Sequence, residues 1–205
     1  MIIGRIVKSN SHVDYVCHVF GAGEMPETPT PRDYALGRFV RVPVRGEEQC
    51  IVGVIYDTLL LNPDFGNLGP RLSPESELEV FSPDYLTEKA VLVGIVALGM
   101  ISWGLGEPTP YPQPSTPSHA MPILAPVVGA EVHVMAEQEM AAFHLEQGAL
   151  RVGYLPRLAS AQNPVLTEVL VRILADLERH FPEQSRRLAL LRSNLSWKSR
   201  VEGLR

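Results

Sequence analysis

Cysteine is nearly missing. Cys17 and Cys50 are the only two in 205 residues, too few for the disulfide framework on which small secreted domains depend. There is also no apolar stretch of the roughly 20 residues that a transmembrane helix needs. The longest uncharged apolar run covers residues 90–103, is rich in Val and Ile, and carries Gly94 and Gly99, which suits a buried strand. The opening Met1-Ile2-Ile3-Gly4-Arg5 has none of the parts of a secretory leader, so no membrane span and a cytoplasmic location are expected.

Catalytic signatures are missing as well. No Gly-x-x-x-x-Gly-Lys-Ser/Thr loop occurs, and Lys198-Ser199 lacks the preceding glycines that would cradle a phosphate. Gly104-x-Gly106 has no third glycine and is followed by proline, so it reads as a turn. Ser102 stands between Gly99 and Gly104, but not in the Gly-x-Ser-x-Gly elbow spacing. The histidines at 12, 18, 119, 133, 144 and 180 form no His-x-x-x-His pair, and the two cysteines are 33 residues apart, so no metal half-site is readable. Asp57 follows the strand-like Ile51-Val52-Gly53-Val54-Ile55-Tyr56 and reads as a turn-former rather than an acid or base. Cys17, on an alternating strand, reads as a small core residue. No catalytic residue, metal or cofactor is expected.

What is present is a normal hydrophobic share (45%), enough for a core, and 18 prolines crowded into a few stretches. The net charge of −5 is uneven: residues 1–150 carry 8 Lys/Arg against 18 Asp/Glu, and residues 151–205 carry 10 against 5. A basic tail of this kind fits nucleic acid, an acidic partner or the chain's own acidic part.

Short strands dominate the first half. Ile2-Ile3-Gly4-Arg5-Ile6-Val7 and the alternating Tyr15-Val16-Cys17-His18-Val19-Phe20 flank the polar Ser9-Asn10-Ser11-His12, a hairpin pattern. Leu36-Gly37-Arg38-Phe39-Val40-Arg41-Val42 follows a proline-rich stretch at 25–32, and the β-branched run at 51–56 comes next. Residues 62–81, with Asn-Pro, Gly-Pro and Ser-Pro dipeptides, read as a long excursion. The apolar Leu59, Leu60, Leu61 and Phe65 at its start are candidates to plug a barrel end or form a contact surface. Seven prolines in residues 107–126 predict an extended linker, and Pro114-x-x-Pro117 offers a polyproline ligand as the alternative. Beyond it, 130–134 reads as a strand, 137–147 as a helix stopped by Gly148, and 150–155 as another strand.

The last 40 residues change period. Leu166, Val169, Leu170, Ile173 and Leu177 make one helical face behind an Asn163-Pro164 start, and Leu188, Leu191 and Leu195 make another beyond Phe181-Pro182. Such a helical hairpin must bury its stripe on the barrel or on a partner. Arg172, Arg179, Arg186, Arg187, Arg192, Lys198 and Arg200, with Trp197 among them, are the nucleic-acid candidates, diluted by Asp176 and Glu178.

Taken together, Met1-Ile2-Ile3-Gly4-Arg5-Ile6-Val7, Tyr34-Ala35-Leu36-Gly37-Arg38-Phe39-Val40, the 51–57 strand, Pro126-Val127-Val128-Gly129-Ala130-Glu131-Val132-His133-Val134-Met135 and Leu150-Arg151-Val152-Gly153-Tyr154-Leu155 resemble the HAS-barrel. That is the small N-terminal β-barrel of HerA-type DNA translocases, with relatives in rotary ATP synthase subunits. The likeness covers residues 1–155, and a barrel of the PRC type would produce similar signals. The P-loop ATPase that follows the barrel in HerA-type proteins is missing, so the resemblance implies subunit contacts and not ATP hydrolysis.

The expected fold is mainly β with α: a small closed or partly open barrel over 1–106, a proline-rich linker or loop at 107–126, short strands and a helix at 127–158, and a helical hairpin at 159–205. The expected function is that of a non-enzymatic adaptor or assembly subunit. Its protein partner would contact Leu59, Leu60, Leu61, Phe65, Leu188, Leu191 and Trp197, and a homo-oligomer is the other expected association. The alternative is a nucleic-acid-associated accessory of a HerA-type translocase or nuclease, using Arg186, Arg187 and Arg192. A third reading, an enzyme whose site the fold assembles, has Asp57, Tyr56 and His18 as its first suspects.

Overall fold

The computed structural model describes residues 1–62, 90–103, 114–161 and 163–202. Seven strands form its main sheet: β1 (Ile2–Ser11), β2 (Asp14–Val19), β3 (Phe39–Pro43), β4 (Gln49–Leu61), β5 (Ala90–Trp103), β6 (Pro114–Ser118) and β7 (Glu131–Val134). The order is β2-β1-β7-β3-β4-β5-β6, and β2 also pairs with β5, so six strands close into an antiparallel barrel with β6 as an extra strand outside the ring. Closure works because the 14-residue β5 divides its edge: residues 92–96 pair with β2, and residues 100–103 pair with β6. Between the two partners, Arg157 covers the gap with hydrogen bonds from Nη2 to the carbonyls of Ala97 and Leu98, both 3.1 Å.

Side chains fill the barrel, as they must at this strand number. Ile3, Ile6, Tyr15, Cys17, Val40, Val42, Ile51, Ile55, Val93, Ile95 and Val132 make up its interior. The opposite faces of β3, β4 and β5 supply Phe39, Cys50, Val52, Val54, Val96, Leu98 and Ile101 to a second core, shared with the helices. β4 is therefore buried on both faces from Cys50 to Ile55, which explains why its sequence is continuously apolar rather than alternating.

Among the described residues the helices are α1 (Glu137–His144), α2 (Leu155–Ala159), α3 (Pro164–His180) and α4 (Ser185–Glu202), with a short 3₁₀ turn at Pro182–Gln184 before the last. Asn163 caps α3 by accepting the Leu166 amide at 3.0 Å, with Pro164 at the first helical position, as its sequence predicts. The α3 stripe buries Leu166, Val169, Leu170, Ile173, Leu174 and Leu177, and α4 adds Leu188 and Leu195 to the same core. The hairpin thus spends its apolar face on this chain's own barrel. Arg192 of α4 grips Glu178 of α3 with bonds of 2.7 and 3.2 Å.

Five local expectations change. The strand expected at 36–42 begins only at Phe39, because Gly37 takes a left-handed φ of 86° and turns the chain. β4 does not end at Tyr56; it passes through a bulge between Ile55 and Asp57 and continues to Leu61. The proline-rich linker yields a strand, since β6 lies at a sheet edge where missing amides cost no ladder bond; Pro117 lies opposite Ile101 and Pro114 opposite Trp103. Finally, the helix expected over 137–147 stops at His144, because Leu145–Glu146 pairs with Ala149–Leu150 (β8 and β9) around Gln147 and Gly148, both with positive φ. The strand expected at 150–155 shrinks accordingly and gives way to α2. The excursion at 62–81, beyond Asn62, and Phe65 within it lie outside the described residues, as do Pro108, Pro110 and Pro112.

Candidate functional site

Past its bulge, β4 leaves the helical core and runs on as an arm paired only with β5 among the described residues: Thr58 faces Val93, Leu59 faces Leu92, Leu60 faces Val91 and Leu61 faces Ala90. Strand alternation puts Leu59 and Leu61 on one face and Leu60 on the other. All three are exposed, Leu60 most of all at 73%. Among the described residues no strand covers the outer edge of this arm, and an exposed apolar strand edge is able to pair with another strand.

The tail divides differently from its sequence expectation. Leu188 is fully buried and Leu191 packs partly against the core, so neither is open to a partner while the hairpin is docked. The periodicity had found their face but not its owner. Trp197 is 68% exposed and Leu190 63%, although the sequence does not mark Leu190 as a contact residue. They are seven positions apart and share the outer face of α4, a spacing that was legible. Arg186 and Arg187 are exposed, whereas Arg192 is engaged by Glu178, and Arg179 by Asp176.

Tyr56, Asp57 and His18, the residues suspected of catalysis, have separate surroundings. The Tyr56 hydroxyl donates to Asp14 Oδ2 at 3.0 Å, and burial, with the Asp14 charge, pushes the phenol up to about 12, which keeps it protonated near neutral pH. Asp57 accepts the Thr58 amide at 2.8 Å, a local role at the bulge. His18 lies along β2 with its backbone opposite Leu92. Cys17 is fully buried and its thiol is pushed up to about 12 by desolvation, which keeps it protonated near neutral pH.

Of the clefts, one of about 340 Å³ is lined by Pro117, Ser118, His119, Phe143, Glu146 and Arg151. Its histidine is occupied: the Gly153 amide donates to His119 Nδ1 at 2.9 Å, and the ring's Nε2 donates to the Phe143 carbonyl at 2.9 Å. Behind it, His144 donates from Nδ1 to the Met140 carbonyl and accepts the Tyr154 hydroxyl at Nε2, both 2.8 Å. Each ring uses one donor and one acceptor, the pattern of a neutral imidazole. Desolvation lowers the proton affinity of both, that of His144 to about 3. A second cleft, of about 360 Å³, includes Arg38, Glu137, Asp176, Arg179 and His180, where Arg179 meets Asp176 and His180 lies 3.8 Å from Glu137. Among the described residues no group of three or more His, Cys, Asp or Glu is placed to hold a metal ion, and no helix is long and apolar enough to cross a membrane.

The buried histidines set a pH dependence. Their pKa values are lower folded than unfolded, so the stability they confer is complete above about 6.5 and declines as pH falls below it. At pH 5, His144 alone costs about 2 kcal/mol, from roughly 1.4 kcal/mol per unit. The urea midpoint is expected to fall between pH 7.5 and pH 5, and to fall less in His144→Gln; equal slopes in the two proteins would refute the assignment.

No curated protein matches this chain. A family model does, over residues 1–205, and the chain therefore belongs to the family described as a domain of unknown function, DUF8166.

Proposed function

We propose that this chain is a non-catalytic, cytoplasmic adaptor or assembly subunit with a HAS-barrel-like core, which joins a protein complex through the β4 arm and the outer face of α4. The observation that carries this reading is the arm: three consecutive leucines exposed on a strand edge of an otherwise filled and closed barrel. Leu190 and Trp197 on α4 support it, since an exposed aromatic beside an aliphatic residue is the usual anchor of an interface. The six-stranded closed barrel supports the HAS-barrel likeness and, with it, a role in subunit contacts.

The nucleic-acid reading keeps Trp197 as a stacking surface with Arg186 and Arg187, but loses Arg192 to its pairing with Glu178. The test is capture from native lysate with the wild-type chain, Trp197→Ser and Leu60→Lys, each with nuclease and at high salt. Capture of one defined protein is expected to survive both treatments and to drop by about tenfold in at least one variant, a loss of about 1.4 kcal/mol. Recovery that needs nucleic acid, collapses in salt and vanishes in Arg186→Gln/Arg187→Gln would replace the adaptor by the nucleic-acid accessory.

A further inference from the structure

We propose that the arm of β4 pairs edge to edge, antiparallel, with the same arm of a second copy of this chain, with Leu60 on the two-fold axis. This rests on the reading of the arm as a contact surface and names its occupant.

The backbone geometry comes first. β3 covers β4 only as far as Val54, and residues 37–38 add bonds to Ile55. Beyond Ile55, the edge of β4 that faces away from β5 meets no strand among the described residues. An extended edge of this kind accepts another strand through main-chain hydrogen bonds.

Side chains and charge then favour an identical strand. With Leu60 on the axis, Leu59 of each copy lies opposite Leu61 of the other and Leu60 opposite its own equivalent, so leucine meets leucine at all three positions. Leu59 and Leu61 then cover one face of the joined arms, and Leu60 the other. Cross-strand pairs of this type are the unit of sheet stability. The arm has no charged residue from Thr58 to Leu61 or from Ala90 to Val93 opposite it, so the pairing buries no ion. Among the described residues the nearest like charges are the two Asp57 carboxylates, three residues to either side of the axis. They stand about 20 Å apart at roughly 3.4 Å per residue, well beyond the screening length of about 8 Å. A one-residue slip, with Leu59 on the axis, sets Asp57 against Leu61 and loses that match. The contact is isologous, so it closes at two copies instead of growing into a fibre. Three leucines per copy fall short of the roughly 1,200 Å² of a standard interface, so the dimer dissociates on dilution.

The full-length chain is the sample. Sedimentation across a wide concentration range is expected to show a monomer–dimer equilibrium. Leu60→Lys, which sets two ammonium groups against each other at the axis, is expected to weaken it by about tenfold or more while the far-UV spectrum and melting temperature stay as in the wild type. Because Cys17 and Cys50 are buried, mild oxidation reports an introduced thiol. Leu60→Cys is expected to form a covalent dimer, and the similarly exposed Leu190→Cys is not. The proposal falls if the wild type is monomeric throughout, if Leu60→Lys leaves dimerisation unchanged, or if both cysteine variants cross-link alike. A monomeric wild type whose capture of another protein is lost in Leu60→Lys would assign the arm to that protein: the adaptor reading would stand, and the second copy would not.

Discussion

A chain cut at residue 158 is expected to aggregate and bind apolar dyes rather than persist as a free barrel. The hairpin removed by this cut contributes Leu166, Val169, Leu170, Ile173, Leu174, Leu177, Leu188 and Leu195 to a core whose other half is the outer wall of β3, β4 and β5. Burying eight such side chains is worth about 1.5–3 kcal/mol each, about 12–24 kcal/mol together, which is as large as or larger than the roughly 5–15 kcal/mol by which a typical domain is stable. The cut would bare Val52, Val54, Val96, Leu98 and Ile101 together, an apolar patch on one sheet face. Light scattering and dye fluorescence of the truncated chain check this. A soluble, cooperatively melting 1–158 fragment would show that the hairpin is a separate appendage. The contrast is Trp197→Ser, which removes the most exposed aromatic of the tail and is expected to leave the melting temperature unchanged, because that side chain is not part of either core.

The second large effect lies at Gly4, where β1 crosses β2. A Cβ at this position would stand 2.0 Å from the His18 carbonyl oxygen and 2.8 Å from Cys17 Sγ, and the first of these is backbone that the closed ladder holds in place. Gly4→Val is expected to cost about 3 kcal/mol, at the upper end for overpacking, and to lower the melting temperature by about 6–12 °C. Gly21→Ala is the control, since its Cβ would meet only the Glu24 carboxylate at 3.5 Å. Calorimetry of the two variants decides the matter, and similar melting temperatures would mean that β1 and β2 can separate at this crossing without penalty.

Much of the barrel is legible in the chain, and its errors have physical causes. β1, β2 and β7 alternate or are bounded by turn residues, and α3 announces itself through Asn163-Pro164 and a clean apolar stripe. Where a strand is buried on both faces, as in β4, periodicity gives no end point, so its extension through the bulge to Leu61 could not be located. β6 could not be found at all: proline excludes helix but says nothing about whether an extended segment meets an edge. In sequence the turn at Gln147-Gly148 reads as a simple helix stop, because Gln rarely signals a positive φ.

The candidate surface was half legible, for a related reason. Leu59, Leu60 and Leu61 are conspicuous as sequence, and the exposure of all three follows from a strand that outruns its neighbour β3. Leu188 and Trp197 look equally available in the tail, yet one is buried and the other exposed. Periodicity identifies the apolar face of a helix but not what covers it, since burial is a property of two surfaces and a single segment encodes one of them. By itself, then, the sequence determined the strand-rich first half, the helical hairpin and its stripe, and the lack of a phosphate loop or a metal-ligand spacing. Only the tertiary structure decided that the barrel closes through the divided edge of β5, that the hairpin's stripe lies on this chain's own barrel, and that the β4 edge beyond Ile55 meets no strand among the described residues. Each of these depends on contacts between residues far apart in the chain, whose pairing local preferences do not specify.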